Sequence, residues 1–152
     1  MDVILNSKPS ANLDNLDYER LDNVVFYDPS LKDVQNLLSY LKDGYRAVTI
    51  NKNENFINSL TYNLSSYRTS NVYVLAHGQA GQVNIGEQPF NSTVINSIPQ
   101  GILSQINIEE ITLLSCNVGQ DKDFIENISR IFDCSVNFSK NLYILLISNF
   151  EM

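Results

Sequence analysis

Two side chains able to do covalent chemistry stand at the ends of two apolar runs. His77, the only histidine of the chain, closes Val72-Tyr73-Val74-Leu75-Ala76-His77-Gly78. Cys116, one of two cysteines, closes Ile111-Thr112-Leu113-Leu114-Ser115-Cys116-Asn117. Each run has the length and composition of a short buried strand. In an open α/β sheet, the carboxyl ends of the strands form the edge where ligands bind and chemistry is done. A thiol and an imidazole meeting there are the minimum parts of a cysteine nucleophile and its general base. The base is needed because a thiol of ordinary pKa, ~8.5, is mostly protonated at neutral pH. If the two strands are neighbours, ~4.8 Å apart, the side chains face each other across a gap of order 5–10 Å.

The elements that must position this pair follow from the apolar spacing. Val24-Val25-Phe26-Tyr27 reads as the first buried strand, broken by Asp28-Pro29-Ser30. Ser30, with Asp33 three residues on, is expected to cap a helix carrying Leu31, Val34, Leu37, Leu38 and Leu41 and closed by Asp43-Gly44. Ala47-Val48-Thr49-Ile50 is the second strand, and Asn53 caps a helix with Phe56, Ile57, Leu60 and Leu64 inward. After His77, Gly78 and Gly81 give a turn, and Val83 and Ile85 alternate with polar residues up to a Gly86-Glu87 hairpin turn. Ser92 is expected to cap a helix with Val94, Ile95 and Ile98, which Pro99 interrupts before Ile102, Leu103 and Ile106. Asp121 or Asp123 opens a helix with Phe124, Ile125, Ile128, Ile131 and Phe132 inward. Val136 and Phe138 mark a fifth strand and residues 142–147 a sixth. Residues 1–22 read as a polar N-terminal arm, and residues 23–152 as one α/β domain. Alternating strands and helices, with near-continuous apolar strands, predict a three-layer αβα sandwich. Its sheet should be mostly parallel, with a small hairpin inserted after the third strand.

Composition bounds the function. A chain of 152 residues with 43% hydrophobic and 18% charged residues is expected to fold as a single soluble domain. Its net charge of -7 opposes nucleic acid and anionic membrane as partners. Two cysteines without a CxxC spacing, and one histidine, provide neither a disulfide framework nor a metal cage. No cofactor is expected: the chain has neither GxGxxG nor GxxxxGK[ST], and its one Gly-rich stretch leads into a hairpin rather than a helix. GxSxG is absent as well. A receiver domain would want an acidic phospho-acceptor where His77 stands. The chain start lacks the basic flank of a secretory signal, and no apolar segment spans a bilayer, so a cytoplasmic location is the default expectation, with signal-less export open.

At His77-Gly78 and Cys116 the sequence resembles the caspase-like clan of cysteine peptidases, in which one core strand ends in His-Gly and the next in the catalytic Cys. It is most similar to a bacterial branch of that clan, domain of unknown function 4347, usually found near the head of large surface adhesins. The resemblance covers about residues 23–140. It runs from Val24-Val25-Phe26-Tyr27-Asp28 through Ala76-His77-Gly78-Gln79-Ala80-Gly81 and Leu114-Ser115-Cys116-Asn117-Val118-Gly119 to Val136-Asn137-Phe138-Ser139. It implies a caspase-like sheet, with Cys116 as nucleophile, His77 as base, and the backbone N–H groups of Gly78 and Cys116 as oxyanion donors. The implied partner is a peptide or protein substrate, including the chain's own arm at Lys8 or Arg20; the pattern is silent on oligomeric state.

Blander assignments compete at each position. A lone histidine after a strand is most often a hydrogen-bonding residue, and a free cysteine is often a small buried hydrophobe. That is the preferred account of Cys134. Helix capping suffices for Asp28; Asn117 and Asp121, on the loop after Cys116, are candidates to line a pocket, with solvent-exposed loop polarity the preferred account. The expected function is a cysteine peptidase or self-processing domain; the alternative is a non-catalytic relative serving as a binding or assembly module.

Overall fold

A computed structural model describes residues 19–41 and 43–139. The first eighteen residues and the expected sixth strand, 142–147, lie outside the described residues, as does Lys8. Five strands form one sheet: β1 (Glu19–Tyr27), β2 (Tyr45–Thr49), β3 (Tyr67–Leu75), β7 (Ile108–Leu114) and β8 (Ser135–Ser139). Their order is β2-β1-β3-β7-β8 and every pairing is parallel. A second, antiparallel sheet holds β4 (His77–Gln79), β5 (Gln82–Ile85) and β6 (Gln88–Asn91). The helices are α1 (Val34–Leu38), α2 (Phe56–Leu64), α3 (Ser92–Asn96), α4 (Gln100–Leu103) and α5 (Lys122–Phe132). The expected architecture is therefore present: a mixed α/β fold in which helices flank a parallel sheet and a small sheet follows the third strand.

The helices divide unequally between the two faces. One face packs Val24, Phe26, Val72, Val74, Ile111 and Leu113 beneath α2, α3, α5 and the small sheet in a single large core. Edge-to-face ring contacts run through that core from Phe26 to Phe56, from Phe56 to Phe90 and from Phe90 to Phe124. They tie β1, α2, β6 and α5 together in a geometry aromatic rings favour. The other face packs Val25, Tyr27, Leu75 and Leu114 beneath Leu31, Val34 and Leu37 of the α1 region.

Several boundaries differ from the sequence-based expectation. β1 begins at Glu19, so residues 19–22, assigned to the arm, are strand, paired with β3 from Tyr67 onward. Arg20 holds that end by donating to Ser70 Oγ at 2.8 Å and to Glu109 at 2.9 Å. α1 starts at Val34, not after Ser30. The Asp28 carboxylate accepts both the backbone N–H and the hydroxyl of Ser30, each at 2.8 Å, closing a local turn that competes with a helix cap. Asp33, in the left-handed region at φ 63°, then precedes the helix without a side-chain cap bond. The helix ends at Leu38, and Asp43-Gly44 belongs to the turn entering β2. Asn55 rather than Asn53 caps α2, accepting from the N–H of Asn58 at 2.9 Å. Asn91 rather than Ser92 caps α3, accepting from Val94 at 3.1 Å. Asp121 caps α5 through the N–H of Phe124 at 3.1 Å. Gly86-Glu87 makes the expected two-residue turn between β5 and β6, with Gly86 at φ 78°.

Candidate functional site

β3 and β7 are neighbours, and Leu75 and Leu114, the last residue of each, are register partners. One residue beyond, where the ladder has ended, the Ser115 hydroxyl donates to the Ala76 carbonyl at 2.6 Å and holds the two segments together. The Ser115 N–H donates to Ser139 O at 3.1 Å, and the Asp28 N–H donates to Leu75 O at 2.9 Å. Four strand ends are thus linked along one edge, and His77 and Cys116 are the next residues in line on the central two. Both are exposed.

His77 does not terminate the main strand, as the apolar run suggested. Leu75 does, and His77 opens β4, opposite Asn84 of β5. It therefore rides on the small sheet, whose buried side chains Val83, Ile85 and Phe90 belong to the large core. That sheet is seated at three places. A Cβ on Gly78 would lie 2.8 Å from both Ser115 Cβ and Val118 Cγ1, so only glycine permits this approach to the residues flanking Cys116. Gly81 lies against the Asp121 carboxylate. At the far end the Glu87 N–H donates to Glu54 O at 2.8 Å, and Asn55 donates to the Glu87 carboxylate at 3.0 Å.

Cys116 sits where β7 gives way to a turn. Asn117 adopts φ 61°, in the left-handed region that asparagine tolerates better than most residues, and a 3-10 turn Val118–Gln120 leads to the Asp121 cap. Among the described residues, no hydrogen bond engages the N–H of Cys116, its thiol or the His77 imidazole. Cys134 is half-buried against the large core, in keeping with a packing role. No group of three or more His, Cys, Asp or Glu among the described residues is placed to hold a metal ion. No helix among them is long and apolar enough to cross a membrane.

Two clefts open along this edge of the sheet, and neither is lined by His77 or Cys116. The first, about 440 Å³, lies at the ends of β1 and β2 beneath the β5–β6 turn, with Ile50 and Ile85 as floor and Asp28, Lys52 and Glu87 at its rim. The second, about 360 Å³, is lined by Ser115, the turn 117–120, Phe138 and Ser139. Asn117, assigned to loop polarity from the sequence, lines this second cleft; Asp121 caps α5 and meets the small sheet. Phe138 was legible only as a strand residue. Its ring is half exposed and packs over Gly119, a contact between segments distant in sequence that no local pattern announces.

A parallel α/β sheet with an exposed cysteine and an exposed histidine just past adjacent strand ends belongs to the class of open α/β domains, in which ligands bind at the carboxyl edge of the sheet. Within that class the chain belongs to the family described as Domain of unknown function (DUF4347), whose model matches residues 24–143. Among curated proteins and solved structures, none matches the chain.

Proposed function

We propose that this domain cleaves a peptide bond, in a protein substrate or in its own chain, using Cys116 as nucleophile and His77 as general base. The observation that carries this reading is the placement of an exposed thiol and an exposed imidazole just past the paired ends of β3 and β7. The resemblance to caspase-like peptidases, and to their adhesin-borne branch, points the same way. In the proposed cycle His77 takes the Cys116 proton and the sulfur attacks the substrate carbonyl. The N–H groups of Gly78 and Cys116 hold the resulting oxyanion. The imidazolium returns the proton to the departing amine, leaving a thioester on Cys116. His77 then deprotonates a water, which attacks the thioester and releases the carboxylic acid and the free thiol.

The competing reading is a non-catalytic binding or assembly module of the same fold. What favours it is that thiol and imidazole make no hydrogen bond with each other among the described residues. Dyads without substrate are often loose, so this does not remove the peptidase reading.

The test is mass spectrometry of purified protein incubated alone and with a peptide library under reducing conditions. Wild type should yield cleavage products, Cys116→Ala none, His77→Ala nearly none, and Cys134→Ala the full set, since nucleophile and base act as a unit. Equal absence of products in wild type and Cys116→Ala would transfer the assignment to the binding module.

A further inference from the structure

We infer that Asn84 is the positioning residue for His77: its side-chain oxygen accepts the single N–H of the neutral imidazole and so decides which ring nitrogen is left to act as base. The inference rests on the role proposed for His77. His77 and Asn84 are directly opposed on the antiparallel strands β4 and β5. Residues so opposed point to the same face, with Cβ atoms about 4.5–5.5 Å apart, so that rotation of either side chain brings them into hydrogen-bonding reach. That face is the outer one: Val83, the preceding residue of β5, is buried in the large core, whereas His77 and Asn84 are both exposed. On its other side Asn84 opposes Pro89 of β6, whose side chain has no hydrogen-bonding group to compete. Gln82 orients the Asn84 amide, donating from Nε2 to Asn84 Oδ1 at 2.8 Å. A carboxamide oxygen accepts two hydrogen bonds, so one place on Oδ1 stays open. The imidazole is equally open, since no hydrogen bond engages it among the described residues.

A neutral imidazole carries its proton on one nitrogen and accepts at the other. A ring with no partner samples both tautomers and several orientations, and only some of these present an unprotonated nitrogen to Cys116. An acceptor that binds the N–H selects one tautomer and one ring orientation. Asn84 is exposed at the rim of the first cleft, so its substitution should change the position of His77 and leave folding nearly untouched.

The experiment uses the full chain labelled with nitrogen-15, at a pH where the ring is neutral, with unfolding curves recorded on every variant. His77 is the only histidine, so its ring nitrogens give unambiguous signals whose shifts report the tautomer ratio. Between wild type and Asn84→Ala that ratio should change by about twofold to tenfold, the range a net hydrogen bond supplies. Asn84→Asp keeps an acceptor oxygen in place and should hold the wild-type tautomer. The rate at which a leucyl acyloxymethyl ketone modifies Cys116, read by intact-mass spectrometry, should fall in Asn84→Ala and recover in Asn84→Asp. A tautomer ratio unchanged in Asn84→Ala would overturn the inference, as would equal losses of rate in the two variants. A ratio that follows Asn84, beside a rate that His77→Ala leaves unchanged, would support the His77–Asn84 bond and overturn the peptidase reading instead.

Discussion

The two faces of the sheet solve the same burial problem on different scales. On one, α2, α3, α5 and the small sheet share a continuous core with buried side chains of β1, β3 and β7. On the other, the α1 region covers only Val25, Tyr27, Leu75 and Leu114, all near the carboxyl ends of their strands. The strand order explains the inequality. β1 to β2 steps across the sheet in one direction, whereas β2 to β3, β3 to β7 and β7 to β8 all step in the other. Crossovers of a single hand send opposite steps to opposite faces, so one connection lies on the thin side and three on the thick. The thick face therefore supplies the energy of folding and also seats the small sheet that carries His77. The thin face contributes a local patch under the last residues before His77 and Cys116.

The largest effect should come from breaking the thick face at Phe90, which joins β6 to both Phe56 and Phe124. Phe90→Ala should cost about 3–5 kcal/mol by urea unfolding, the range for a buried aromatic ring. It should also raise amide exchange through β4–β6, because the small sheet loses its anchor. On the thin face, Leu37→Ala should cost about 2 kcal/mol, near the low end for such truncations, since Leu37 belongs to a helix of only five residues over a small core. A loss at Leu37 equal to that at Phe90 would refute the inequality between the faces.

The smallest effect sharpens the description of the thin side. Burial, then the neighbouring Tyr45 and Glu110, pushes the Tyr73 hydroxyl up to about 12. Its ring stacks on Tyr45 with centroids 6.1 Å apart. A group harder to ionise folded than unfolded supports the native state fully below pH 10. That support fades as pH rises from 10, where the unfolded tyrosine ionises, to about 12. Unfolding midpoints measured across this window should fall less steeply for Tyr73→Phe than for wild type. Parallel slopes would mean that Tyr73 is not perturbed by the fold.

The cores of both faces were legible. Val24 and Phe26, the Phe56, Ile57, Leu60 and Leu64 stripe, and Phe124, Ile128 and Phe132 on the thick face, and Val25, Tyr27, Leu31, Val34 and Leu37 on the thin one, are apolar at the spacing their elements require, and all are buried. The polar halves of β1 and β3 were not legible. Glu19 to Asn23 and Tyr67 to Asn71 are mostly polar in sequence, yet they pair along their length, with Thr69 buried and Arg20 bonded to Ser70 and Glu109. Local turns displaced α1 for a related reason: Asp28 binds Ser30 before Ser30 can cap anything. Of the candidate site, the positions of His77, Gly78 and Cys116 just past two apolar runs were readable, and the adjacency of those runs, posed only as a condition, is met by the pairing of β3 with β7. That His77 opens a second sheet was not readable, because the apolar run from Val72 to Ala76 leads into His77 with no turn residue before it, and the glycine signal comes only after His77. The cleft beside Phe138 was hidden too, since it is assembled from a turn and a strand about twenty residues apart.

The most direct measurement of the central claim, that His77 activates Cys116, is the rate of covalent capture of Cys116 by one leucyl acyloxymethyl ketone in wild type and in His77→Ala. Unfolding curves recorded on the same samples would establish that both are folded. Removal of a general base should slow capture by about 10²-fold or more, with Cys134 unmodified in both proteins. Equal rates in the two folded proteins would contradict the account: Cys116 would then be an exposed thiol at a sheet edge, and His77 a bystander on the neighbouring strand.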